Sequence, residues 1–139
     1  MKYKKYFKIK NRTNVLHYDK LYYGSIGLKA LTSCQLSTDQ ILTVVKILKR
    51  IIKKKNFLIN NVNPNTGVTR KPRDVRMGRG KGNFAFNVFY LKAGKILFEL
   101  VNVPEKIGRR AFLSCSNRLP IKTIIVKKYD QYTNNIKSY

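Results

Sequence analysis

Apolar positions recur with two different periods along this chain, and each change of period marks an element. Within residues 22–31, Ile26, Leu28 and Ala30 share one face at period two, which predicts a strand bent at Gly24 or Gly27. The period then lengthens. Ile41, Val44, Val45, Leu48, Ile51 and Ile52 fall on one face of a helix, with Lys46, Lys49, Arg50 and Lys53 on the other. Ser37, with Gln40 three residues later, forms a capping box that starts this helix, and Thr38 and Asp39 strengthen the signal. Residues 56–62 predict a short strand, ended by a turn at Pro64-Asn65-Thr66-Gly67. Further on, Phe84, Phe86, Val88 and Tyr90 alternate with Ala85, Asn87, Phe89 and Leu91; two largely apolar faces predict a central or covered strand. A glycine-containing turn at 92–95 returns the chain as its hairpin partner over residues 96–100.

Asn102, Pro104 and Glu105 predict a second helix start. Ile107, Ala111, Phe112, Cys115 and Leu119 give that helix its apolar face, Arg109, Arg110 and Arg118 its outer one, and Pro120 closes it. Residues 121–126 form a last strand. The order strand, helix, strand, loop, hairpin, helix, strand defines an α+β domain, two helices packed on a mixed or antiparallel sheet. The domain spans residues 21–127, between a basic N-terminal extension (1–20) and a polar tail (128–139).

One stretch has no period. Residues 70–82, RKPRDVRMGRGKG, gather Arg70, Lys71, Arg73, Arg76, Arg79 and Lys81 around one acid, Asp74, with Gly78, Gly80 and Gly82 alternating through the second half. This is a loop on a permissive backbone, suited to a polyanion. It is not a nucleotide cradle. Val75 stands where the phosphate-binding loop motif requires its first glycine and Gly82 where it requires a hydroxyl, and Asn83 replaces the last glycine of the dinucleotide fingerprint.

Charge enlarges this picture from a loop to the whole chain. Thirty Lys and Arg against six Asp and Glu give a net charge of +24 in 139 residues, which repels itself in a small folded domain and calls for a partner of opposite sign. Hydrophobic residues at 43% supply a core and exclude a disordered basic tail. Nucleic acid is the leading partner, since closely spaced phosphates reward every cation through counterion release. An acidic membrane surface is the lesser alternative; the chain has no Trp and no apolar run long enough for a span. Tyr3, Tyr6, Phe7 and Tyr18 among the N-terminal cations suit stacking on single-stranded RNA, or else a solvated terminus.

Catalysis finds no footing. The acids Asp19, Asp39, Asp74, Glu99, Glu105 and Asp130 form no evident pair, His17 is the single histidine, and with Cys34 and Cys115 it does not make a four-ligand zinc site. No cofactor or metal is expected, and both thiols are expected to be reduced and buried.

Six blocks around the loop resemble the ribosomal protein L-sixteen family. They are Gly27-Leu28-Lys29-Ala30; Lys71-Pro72 with Val75-Arg76-Met77-Gly78, Gly80-Lys81-Gly82-Asn83; Gly94-Lys95-Ile96-Leu97-Phe98-Glu99; Val103-Pro104-Glu105; Arg110-Ala111-Phe112; and Leu119-Pro120-Ile121-Lys122-Thr123. The resemblance implies a hammerhead-type α+β fold and a structural, non-enzymatic part in the large ribosomal subunit. It implies large-subunit rRNA, tRNA and neighbouring ribosomal proteins as partners, with neither a membrane span nor a homo-oligomer. Arg70, Lys71, Arg73, Arg76, Arg79 and Lys81, with Gly78, Gly80 and Gly82, become the rRNA- and tRNA-binding set, directed to the A-site tRNA elbow with the P-site tRNA a further candidate. Lys46, Lys49, Arg50, Lys53, Arg109, Arg110, Arg118 and Lys122 become a secondary rRNA-binding set.

The chain departs from the family at its loose N-terminal basic block, at Asn60 and Asn61 where an aromatic and an arginine are usual, and at FAFNVF where a Trp is usual. Abundant Lys, Asn, Ile and Tyr, with no transit peptide, point to an organelle-encoded mitochondrial protein, with an AT-rich bacterium as the alternative. Composition alone also leaves open a DNA-compacting protein of an organelle nucleoid.

Overall fold

A computed structural model describes residues 20–52 and 57–128. The N-terminal basic segment up to residue 19, Lys53, and the tail from residue 129 lie outside the described residues. The elements run β1 (Ile26–Ala30), β2 (Cys34–Ser37), α1 (Thr38–Ile52), β3 (Phe57–Asn60), β4 (Thr66–Arg70), β5 (Asn83–Leu91), β6 (Ile96–Val101), α2 (Glu105–Ser116) and β7 (Thr123–Lys127). The α+β class holds. The single expected sheet, however, is two: a four-stranded sheet in the order β3-β6-β1-β7 and a three-stranded one in the order β2-β5-β4. All the pairings are antiparallel.

The expected β5–β6 hairpin does not form. β5 pairs with β2 and β4, whereas β6 pairs with β1 and β3. The turn at 92–95 passes the chain from one sheet to the other, because Ala30 captures its backbone: Gly94 N–H donates to the Ala30 carbonyl (2.7 Å), and Ala30 N–H to that of Lys95 (3.0 Å). Lys95 also places its ammonium over the Phe89 ring, 4.6 Å from the centroid, and burial pushes its pKa down.

The capping box is realised in both directions. Ser37 N–H donates to Gln40 Oε1 (3.0 Å), and Gln40 N–H donates to Ser37 Oγ (3.3 Å). The apolar stripe of α1 buries Ile41, Val44, Leu48 and Ile52. α2 buries Gly108, Ala111, Phe112 and Cys115. Ile107, assigned to that buried face by its spacing, is instead exposed, because the small Gly108 makes the closest approach to the sheet. A Cβ there would stand 3.0 Å from Ile26 Cδ1. The two helices pack on one another, α1 against β2 and β5 and α2 against β1 and β7. The core between them contains Leu28, Leu36, Val44, Leu48, Leu97, Phe98, Leu100, Phe112 and Cys115.

Both cysteines are free, but only Cys115 is buried; Cys34 is half-buried. Burial raises the Cys115 thiol to about 11, which keeps it protonated and inert at neutral pH.

Candidate nucleic-acid interface

The basic loop closes a β-hairpin. β4, within the stretch read from sequence as turn and loop, pairs along the first half of β5 from Thr66↔Val88 to Arg70↔Asn83. The loop is therefore clamped at both ends. β2 reaches β5 only from Ser37↔Val88 to Cys34↔Leu91. Between Val88 and Asn83, β4 and β5 accordingly run on without β2 as a two-stranded ribbon, about 16 Å long at the usual rise per residue. β5 is central as expected, between β2 and β4, and along this ribbon Ala85 and Phe86 are exposed.

The register slips once, since Val68 faces Phe86 but Thr69 faces Phe84. Ala85 is the extra residue, a β-bulge, and a bulge adds twist and re-aims the strand beyond it. The slip also changes a face. The Phe84 ring lies over Gly67, whose Cβ would meet it at 3.2 Å, and Gly67 pairs with Asn87. Phe84 therefore does not share the face of Phe86 and Val88 as simple alternation predicts.

At the neck the two limbs touch. A Cβ on Gly82 would stand 2.6 Å from the Arg70 carbonyl oxygen, so only glycine fits without a backbone shift. Gly78 (φ 105°), Arg79 (φ 52°) and Gly80 (φ 80°) form a run of left-handed backbone that folds the tip back. Lys71 reaches across the loop and donates its ammonium to the Gly78 carbonyl, so this cation serves the loop's own shape. Arg70, Arg73, Arg76, Arg79 and Lys81 are exposed, and Met77 at the tip stands free in solvent.

The secondary cations do not join this cluster. Lys46, Lys49 and Arg50 lie exposed on α1, Arg109 and Arg110 on α2, and Arg118 and Lys122 in the α2–β7 connection. Asn60 and Asn61, both read from sequence as departures from the resemblance, do structural work. Asn60 Oδ1 accepts the Val62 N–H (3.0 Å), and Asn61 Nδ2 donates to Glu99 Oε1 (2.9 Å). Among the described residues no cluster of His, Cys, Asp or Glu fits a metal ion, and no helix is long and apolar enough to cross a membrane.

Glu99 was not singled out by sequence, although an acid inside the apolar run ILFELV is itself a signal. It is 1% exposed, and its Oε2 accepts N–H bonds from Tyr23 and Gly24, each at 3.0 Å. Burial alone raises a carboxyl pKa; here the Gly24, Tyr23, Asn61 and Tyr22 donors outweigh it and hold the group below its ordinary value.

Fold and loop together define a small antiparallel α+β protein with a projecting basic arm. The family model described as ribosomal protein L16p/L10e matches residues 1–126. The large ribosomal subunit protein uL16m of Acanthamoeba castellanii is 54% identical over 139 residues, covering 99% of each chain. The large ribosomal subunit protein uL16 of Buchnera aphidicola subsp. Baizongia pistaciae is 37% identical over 127 residues, covering 91% of this chain and 93% of the relative. The chain belongs to the ribosomal protein L16p/L10e family, and its role is structural, in the large ribosomal subunit, rather than enzymatic.

Proposed function

We propose that the chain binds large-subunit rRNA and that its basic loop reaches tRNA and helps to place it, at the A site above all. The observation that carries this reading is the ribbon-borne loop at 70–82: five exposed cations on an arm whose neck and tip are fixed by backbone geometry. A cation on a pre-set backbone loses less entropy on docking than one on a free tail, so such a loop suits a fixed pattern of phosphates. The helix cations suit diffuse contact with rRNA. Residues 1–20, 21–127 and 128–139 serve as extension, RNA-binding domain and tail in this scheme.

The likeness to uL16m over nearly the whole of both chains supports the mitochondrial large subunit as the place of work, ahead of a bacterial cytoplasm. The same family membership favours RNA over the DNA of a nucleoid. In sedimentation at millimolar magnesium the protein is expected with the large subunit, released by ribonuclease and not by deoxyribonuclease. Arg76→Ala and Arg79→Ala should lower tRNA binding by assembled subunits roughly 5- to 30-fold, the ordinary worth of a charge-assisted bond, with Lys46→Ala having a smaller effect. Equal losses from all three would refute the division between docking loop and diffuse face.

A further inference from the structure

The four-stranded sheet has two unlike sides. Its inner side, with Ile26 and Leu100, faces α2 at Gly108. On its outer side lie Phe57 and Ile59 of β3, Val101 and Glu99 of β6, Gly27 and Lys29 of β1, and Val126 and Ile124 of β7, as the register places them opposite one another. Residues 20–25 cross this outer side as a strap. Leu21 covers Gly27, whose Cβ would meet Leu21 Cδ2 at 2.3 Å. Tyr23 and Gly24 hang their N–H groups on Glu99, and Ser25 N–H donates to the Leu100 carbonyl at 2.9 Å.

The backbone of Tyr22 and Tyr23 is thus fixed on either side, yet their side chains are 68% and 73% exposed. Phe57, two residues along β3 from the partner of Glu99 and on the same side, is 70% exposed. Three exposed rings are thus carried on this side of the sheet, two by the strap and one by the edge strand β3.

We propose that this outer side is a second RNA-binding surface, on which unpaired bases stack against Tyr22, Tyr23 and Phe57. The inference rests on the rRNA reading above and adds a ligand class, single-stranded RNA, at a site on a different sheet from the basic loop. Charge selects the occupant. Among the described residues Glu99 is the acid on this side, and its oxygens are already taken by N–H donors of Tyr22, Tyr23, Gly24 and Asn61. Exposed Lys20 heads the strap, and exposed Lys128 sits at its foot, donating its N–H to the Ser25 carbonyl at 3.0 Å. Rings for bases, flanked by cations for phosphates on an antiparallel sheet, are the ingredients of a single-strand platform.

The test uses full-length protein, a poly-uridine 20-mer and a duplex RNA of equal length, at salt high enough to weaken the diffuse electrostatic term. Replacing the rings together (Tyr22→Leu, Tyr23→Leu, Phe57→Leu) should weaken single-strand binding roughly 10- to 100-fold while leaving duplex binding within about twofold. Tyr22→Phe with Tyr23→Phe, which keeps the rings, should bind as the parent does. Ultraviolet crosslinks to uridine should map to the peptides holding Tyr22, Tyr23 and Phe57. If the leucine variant, shown to melt as the parent does, binds the 20-mer normally while Arg76→Ala weakens RNA binding, the platform is wrong and the rRNA reading stands. If neither variant changes RNA binding, the rRNA reading itself fails. Crosslinks from this side to protein alone, residues 1–19 included, also overturn the platform.

Discussion

Two residues show how much a single position carries here. Gly82 seals the loop neck against the Arg70 backbone, a contact no side chain can share. Gly82→Val should cost about 1–3 kcal/mol, as overpacking does, and should open the hairpin end, read as faster amide exchange at Arg70 and Asn83. Glu99 is a buried anion satisfied by N–H groups from two other segments. Glu99→Gln turns a donor toward those donors and should cost about 2–3 kcal/mol in urea unfolding at pH 7. Its pH signature has a definite sign. The folded carboxyl lies below its ordinary value of 4.5, so the unfolded chain binds the proton first on acidification. The stability that Glu99 contributes is complete above about pH 4.5 and is lost as pH falls through the lower folded value; Glu99→Gln should flatten that part of the pH profile.

At the scale of elements, the helices were legible and the sheets were not. Residues 37–52 declare α1 through a reciprocal cap and a clean apolar stripe, both local signals. Strand partners are not local. Nothing in FAFNVFYL and ILFELV tells that Ala30, more than sixty residues upstream, draws the intervening turn away from a hairpin. β4 was hidden because Thr66-Gly67-Val68-Thr69-Arg70 has one apolar side chain and a glycine, while its partner strand supplies the Phe84 ring that packs on that glycine. The loop's residues were plain from the sequence, but its clamping at both ends was not, since that depends on β4. The bulge at Ala85 was equally invisible, for alternation reads straight across it. Deleting Ala85 should restore alternation with Phe84 still opposite Thr69, remove the local twist of the bulge and so re-aim the loop. The domain's melting temperature should shift by only a few degrees, while RNA affinity falls by roughly the share the loop contributes, measured beside Arg76→Ala.

For the whole molecule, a charge of +24 makes ionic strength a direct readout of how the surface is used. The logarithm of the RNA-binding constant should fall linearly with the logarithm of salt, and each cation removed from a phosphate contact should lessen the slope by about 0.7–0.9. Arg76→Ala and Lys46→Ala can lower the slope alike, yet under the proposed division of labour only the loop variant should also lose tRNA placement; the tyrosine and phenylalanine variants should leave the slope unchanged. The pairing of the strands has one more consequence, in time rather than space. β1, the second strand from the edge of the larger sheet, has β7 as one neighbour, and Ile26 meets Lys127 about a hundred residues further along. That sheet waits for nearly the whole chain to be synthesised. The β4–β5 ribbon joins residues at most 22 apart, Thr66 and Val88. Its closure is a local, fast event, so a nascent chain displays its basic arm before the domain that bears it is complete.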